Sequence, residues 1–186
     1  KEGKLLRIPA KVVMGIDFGG SGSMTTMVCT LYYNGFHNLY VAEEAYLELS
    51  SDIDADKICD KFIEFYRLCI ARYGLVNWIF PDSASTTMIN SLRSAAKKAG
   101  LNSGNISGCR KNEVADRPRS VDKLFNTERL KINKRCKNLR RAIGRLKWDE
   151  KKPNIPEDKN IGNCNDWWDA FNYTMLDFIE YIDLDR

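Results

Sequence analysis

Residues 12–16 crowd Val12, Val13, Met14 and Ile16 together, interrupted only by Gly15, and the run stops on Asp17. A short, continuous apolar run bounded by turn residues predicts a strand buried on both faces. Residues 24–33 and 37–48 predict two more strands, joined around "NGFH", where Asn34-Gly35 is a hairpin turn signal. The spacing then becomes helical. In "DADKICDKFIEFYRLCIARYG" Ile58, Phe62, Phe65, Tyr66 and Cys69 share one face and Gly74 supplies a stop. "LVNWIF" (75–80) predicts a short strand running into Pro81-Asp82. A helix over 85–99 follows, with Met88, Leu92 and Ala96 inward and Lys97 and Lys98 in its last turn before Gly100.

The second half is less regular. The pattern predicts a weak strand around "NISGCR", a Pro/Arg-rich loop "ADRPRS" and a short helix near 120–127. A strand "RLKIN", a basic helix over 136–146 and a polar loop from Trp148 with Pro153 and Pro156 come next, before a final helix from Asp166 to Tyr181. The order β-β-β-α-β-α-β, with a further α/β portion and a closing helix, predicts an α/β three-layer domain: a mixed central sheet flanked by helices.

Composition narrows the class. A chain of 186 residues, 44% hydrophobic and 29% charged, has room for one domain with its own core. No apolar run approaches the roughly 20 residues that span a bilayer, so no membrane role is expected. The start "KEGKLLRIPAK" has neither initiator Met nor apolar h-region, and residues 1–11 read as a linker from a longer chain. Six scattered cysteines without a CxxC pair predict reduced thiols in an intracellular protein and argue against structural zinc.

The net charge of +4 is modest, but its distribution is uneven. From Arg129 to Lys147 there are nine basic residues and no acid. Such a run is often only a solvated helix face; its density here also suits contact with a polyanion. Candidate phosphate contacts are Lys134, Arg135, Lys137, Arg140 and Arg141, with Arg110, Lys111, Arg117 and Arg119 from "CRKNEVADRPR".

Asp17 is the residue that most needs a reason. A carboxylate ending a buried strand is costly unless a cation meets it, whether a metal ion, a metal-bound nucleotide or a neighbouring Arg or Lys. Ligands in α/β sheets collect beyond the carboxyl ends of neighbouring strands. If the first and fourth strands are adjacent and parallel, Asp17 and Asp82 lie side by side, an arrangement that a hard divalent ion stabilises. Asp166 and Asp169 in "NDWWDAFNYTML" fall one turn apart on one helix face, with Trp168 and Phe171 free to pack on the sheet. Each acid has a plainer reading: Asp82 as a turn residue or cap, Asp166 as an N-cap, Asp169 as a complement to the helix dipole. Glu43, Glu44 and Glu48 read as an exposed strand face, and Asp177 as solvated.

The ordered set "GIDFG", "PDSA", "CKNLRRAIGRLKW" and "NDWWDAFNYTML" resembles the C-terminal nuclease domain of phage terminase large subunits, across residues 12–180. The resemblance implies a ribonuclease H-like fold with Asp17, Asp82 and Asp169 as the catalytic, metal-binding acids. It departs at Asn172, where relatives carry a basic residue, and at Asp166, where they often carry a histidine; Asp166 then becomes a further metal ligand. The sole histidine, His37, lies at a hairpin turn, so histidine general-base chemistry is not expected.

What the resemblance further implies is an endonuclease that cleaves double-stranded viral DNA concatemers during genome packaging. Two divalent ions, Mg²⁺ or Mn²⁺, would flank the scissile phosphate about 4 Å apart, with Asp17 bridging them. Partners would be double-stranded DNA and, in the full-length protein, an ATPase domain, a small terminase subunit and the portal. The setting would be the cytoplasm of an infected or lysogenic bacterial host. The isolated domain is expected to be monomeric and to show little sequence preference. Two rivals remain: an actin- or sugar-kinase-like ATPase fragment, because "GIDFGGSGS" also resembles that group's phosphate loop, and a non-catalytic nucleic-acid-binding module on the nuclease fold. A junction-resolving nuclease of the same fold is a nearer competitor.

Overall fold

The computed structural model describes residues 8–19, 23–48, 54–110, 117–145 and 164–182, with backbone alone for 117–119 and 164. Five strands form one mixed sheet: β1 (Lys11–Asp17), β2 (Met24–Tyr33), β3 (Asn38–Glu48), β4 (Trp78–Pro81) and β5 (Leu130–Ile132). Their order is β4-β1-β2-β3-β5. The first three strands are antiparallel to their neighbours in sequence, while β4 runs parallel to β1 and β5 parallel to β3. Asn34 and Gly35 both take positive φ, 53° and 70°, and start a four-residue loop, 34–37, between the paired Tyr33 and Asn38, which the His37 N–H closes by donating to the Asn34 carbonyl at 3.3 Å.

Alternation along β1 divides the molecule into layers. Val12, Met14 and Ile16 face α1 (Ala55–Tyr73) and α2 (Thr86–Lys98), in one core with Ile58, Phe62, Phe65 and Leu92. Val13 faces the opposite way, in a second core that includes α3 (Arg117–Asn126), α4 (Lys137–Ile143), α5 (Cys164–Tyr173) and α6 (Ile179–Ile182). The predicted inward face of α1 is the observed one, and Asp54 caps the helix by accepting from the Asp56 and Lys57 N–H groups. No helix among the described residues is long and apolar enough to cross a membrane.

Several elements differ from expectation for identifiable reasons. The closing helix is broken: α5 stops at Tyr173, a 3₁₀ turn spans Leu176–Phe178, and α6 follows. Thr174 breaks it, because its buried hydroxyl donates to the Phe171 carbonyl at 2.7 Å and meets the Thr30 hydroxyl at 2.8 Å. The "NISGCR" strand is reduced to a single parallel bridge, Ile79 to Ile106. α3 begins three residues early, with Pro118 in its first turn, where a missing N–H is harmless. The loop containing Trp148, Pro153 and Pro156 lies outside the described residues.

Glu43 and Glu44 are not an exposed strand face. The β2–β3 register shifts between Cys29, opposite Glu43, and Thr30, opposite Val41, so Ala42 is an extra residue and alternation fails there. Glu43 is buried and accepts from Arg72 Nη1 and Tyr73 Oη of α1, each at 2.5 Å. Glu44 faces the other layer and accepts from the Asn138 and Leu139 N–H groups at the start of α4, each at 2.9 Å. Asp177 is not simply solvated either: it accepts from the Arg110 N–H at 3.3 Å and lies 3.8 Å from Arg110 Nε.

α5 reaches the sheet through Gly15. A Cβ built there would lie 2.0 Å from the Ala170 carbonyl oxygen and 3.0 Å from Thr174 Cγ2, so any side chain would push the helix off β1. Gly15→Ala is therefore expected to lower unfolding free energy by about 3 kcal/mol through overpacking, read as a fall in urea midpoint. An unchanged midpoint would mean that α5 does not sit this close.

Candidate functional site

The site is built where β1 and β4 end side by side. Ile16 pairs with Pro81, and the Asp82 N–H donates to the Ile16 carbonyl at 2.9 Å, so Asp17 and Asp82 stand abreast on adjacent parallel strands. Asp82 also fills its plainer role: Oδ1 accepts from the Ala84 N–H at 3.0 Å and shapes the turn into α2. Asp17 continues the Val13–Gly15 alternation and so points toward α5.

Hydrogen bonds from one face of β2 hold α5 in place. Thr26 Oγ1 donates to the Asp166 carbonyl at 2.8 Å, Thr30 Oγ1 meets Thr174 Oγ1, and Tyr32 Oη donates to the Thr174 carbonyl at 2.7 Å. Asp166 is not a simple N-cap, since α5 begins at Cys164; its Oδ2 accepts from the Met24 N–H of β2 at 3.1 Å. Asp169 lies one turn further on, and Tyr173 another turn beyond it. Tyr173 Oη donates to Asp17 Oδ1 at 3.4 Å.

These placements gather the four acids electrostatically. Burial first, and then the charges of Asp169, Asp166 and Asp82 in that order of effect, together push the Asp17 carboxyl up to about 8, against the opposing bond from Tyr173. Burial likewise raises Asp166, against the Met24 N–H. The Tyr173 hydroxyl is pushed well up by burial and then by Asp17, Asp169 and Asp82. Among the described residues, no three His, Cys, Asp or Glu side chains are drawn closely enough together to hold one metal ion. The donor chemistry still suits a hard cation: the donors are carboxylate oxygens, and their mutual repulsion is what a divalent ion relieves.

The basic candidates divide. Lys134, Arg135, Lys137, Arg140 and Arg141 are exposed on α4 and the turn before it. Leu139 and Ala142 point inward, and Glu44 holds the helix start. Arg110 is exposed but leans on Asp177. Lys111 lies outside the described residues, and Arg117 and Arg119 fall on α3 with their side chains undescribed. Arg129, first of the basic run, is buried and structural, donating to the His37 carbonyl at 2.7 Å and the Ile182 carbonyl at 3.3 Å.

Sequence reasoning missed Thr26, Thr30 and Tyr173. Threonines inside a strand buried on both faces needed polar partners, and Tyr173 falls four residues after Asp169, on the same helix face.

No protein-family model matches the chain, and no curated protein is similar to it. Solved structures are. The large terminase of a thermophilic bacteriophage superposes with a TM-score of 0.67 at 20% identity, over 94% of this chain and 41% of that one. The large terminase nuclease domain of bacteriophage SPP1, solved with bound Mn, gives 0.63 at 20% identity, over 94% and 89%. The P22 large terminase nuclease domain gives 0.65 at 12% identity, over 89% and 80%. The chain thus has a ribonuclease H-like α/β fold. More narrowly, it is the fold of the nuclease domain of phage large terminases, and the chain spans about two fifths of the length of the thermophilic phage's protein.

Asp17 makes stability depend on pH in a definite direction. An unfolded aspartate ionises near pH 4, whereas Asp17 in the fold stays protonated to about 8. Its contribution is therefore fully present below about pH 4 and is lost as pH rises toward 8. Asp17→Asn is expected to melt roughly 5 °C or more above the parent at pH 8 in EDTA, with the gap closing toward pH 4. Thermal melts across that range check it, and a lower melting temperature for the variant at pH 8 would contradict it.

Proposed function

We propose that the chain is a metal-dependent endonuclease that cleaves double-stranded DNA during viral genome packaging. The observation that carries this is the gathering of Asp17, Asp82, Asp166 and Asp169 about the end of β1, in a fold shared with terminase nucleases. Asp17, Asp82 and Asp169 would hold two divalent ions, Mg²⁺ or Mn²⁺, with Asp166 as a further ligand. When bound, such ions activate water and neutralise charge on the phosphate and leaving 3′ oxygen.

The chain's own residues do the rest. Tyr173 fixes one oxygen of Asp17 and leaves the other for the site. Lys134, Arg135, Lys137, Arg140 and Arg141, with Arg110, Lys111, Arg117 and Arg119, hold the duplex backbone without reading its sequence. An upstream ATPase domain, a small terminase subunit and a portal would supply DNA in the cytoplasm of an infected or lysogenic bacterial host. A second reading, a non-catalytic nucleic-acid-binding module, is favoured by the acids' failure to close on one point among the described residues.

Supercoiled plasmid incubated with EDTA, Mg²⁺ or Mn²⁺ separates the two. Nicking and linearisation are expected with metal only, falling roughly a hundredfold or more in Asp17→Ala, Asp82→Ala and Asp169→Ala. Retarded DNA without cleavage by either ion would establish the binding module instead.

A further inference from the structure

The acids end a row of residues that crosses the sheet on the α5 side. Asp82 stands beside Asp17, Asp17 pairs with Thr26, and Thr26 pairs with Tyr46 of β3. Cross-strand partners share a face, so Tyr46 lies on the same surface as Asp17, two strands or about 10 Å away. Thr26, between them, is buried under the start of α5, its hydroxyl turned to the Asp166 carbonyl, so a strand running from Asp17 to Tyr46 rounds that end of the helix.

Between Tyr46 and α5 is a cavity of about 250 Å³, lined by Met24, Tyr46, Glu48, Asn138, Arg141 and Trp167. Its position is tied to the acids, because the Met24 N–H is the group that holds the Asp166 carboxylate. Trp167 is buried and forms one wall. Tyr46 meets it in a T-shaped contact, with centroids 5.8 Å apart and planes at 68°, which leaves at least one face of the Tyr46 ring uncovered by this neighbour. Tyr46 is 44% exposed, unusual for a large aromatic beside a buried tryptophan. The rim carries opposite charges: Arg141 from α4 and Glu48 from the end of β3.

We propose that this cavity is a subsite for one unpaired nucleobase of the DNA strand being cut, about three nucleotides from the scissile phosphate. The offset follows from about 10 Å of sheet and a rise near 3.4 Å per nucleotide. The inference rests on the nuclease reading and deepens it, because it gives the enzyme a local base preference that backbone contacts cannot supply. Tyr46 supplies a stacking platform, as aromatic residues do for splayed bases, and stacking offsets the cost of unpairing. Arg141 meets the attached phosphate. Glu48 accepts from an exocyclic amino group, which cytosine, adenine and guanine carry and thymine lacks. Thymine is the base the subsite disfavours.

Two measurements on the whole chain test this. In the first, the four deoxynucleoside 5′-monophosphates are titrated separately while the tryptophan indole N–H resonances are followed, Trp167 being assigned with a Trp167→Phe variant. The Trp167 signal is expected to move with dCMP, dAMP and dGMP, and least with dTMP. No movement with any of them at millimolar concentration would overturn the proposal. In the second, cleavage ends from a random-sequence duplex are sequenced. Thymine is expected to be depleted roughly fivefold at one position about three nucleotides from the cut. Glu48→Gln, a surface change that leaves packing intact, should remove the depletion. Tyr46→Ala should flatten the bias and Tyr46→Phe should restore it. A bias that survives both Glu48→Gln and Tyr46→Ala, or no bias in the parent, would also overturn it. If the parent cuts nothing, the nuclease reading fails and the indole titration alone decides the subsite.

Discussion

The approach of α5 to β1 is the constraint on which the rest depends. Gly15 lets the Ala170 carbonyl lie where a side chain would otherwise be, and the polar face of β2 fixes the helix at that distance. Without it, Asp166, Asp169 and Tyr173 would belong to a helix floating over the sheet, and Asp17 would face solvent. Because the threonines of β2 are buried, their hydrogen bonds form away from competing water, and misplacing the helix would leave several polar groups unsatisfied at once. The helix is held both by contact and by polar bonds.

That arrangement sets stability against chemistry. A strand end surrounded by carboxylates raises the proton affinity of its own aspartate, so the apo fold near neutral pH carries Asp17 as an acid rather than an anion. Strain of this kind is characteristic of sites whose ligand completes them. On the opposite side of the sheet the core around Phe62, Tyr66 and Leu92 is apolar, and the buried acid beside it, Glu43, is answered by Arg72 and Tyr73. The helices α1 and α2 thus form a stable backing for a frustrated front.

Much of this was legible in the sequence, and what was not has physical causes. The first three strands, both long helices and the inward face of α1 follow from periodicity alone. Asp17 and Asp82 could be placed together because parallel neighbours bring their ends to one edge. The break after Tyr173 could not be read, because it depends on where the Thr174 hydroxyl finds a partner across the sheet. Glu43 and Glu44 were misread because a single inserted residue, Ala42, defeats alternation. Arg129 looked like part of a basic surface, yet its guanidinium ties the β2–β3 turn to α6. Asp166 could be read as a cap or a ligand, and the backbone of β2 takes up one of its oxygens.

The bulge in β3 has a mechanical meaning. Glu43 and Glu44 are joined by one peptide bond, yet each grips a helix from a different outer layer, α1 through Arg72 and Tyr73 and α4 through its first N–H groups. The layers are otherwise separated by the thickness of the sheet. They are thereby riveted at one point, so a tug on the basic helix α4 is borne by the same link of chain that anchors the long helix behind the sheet.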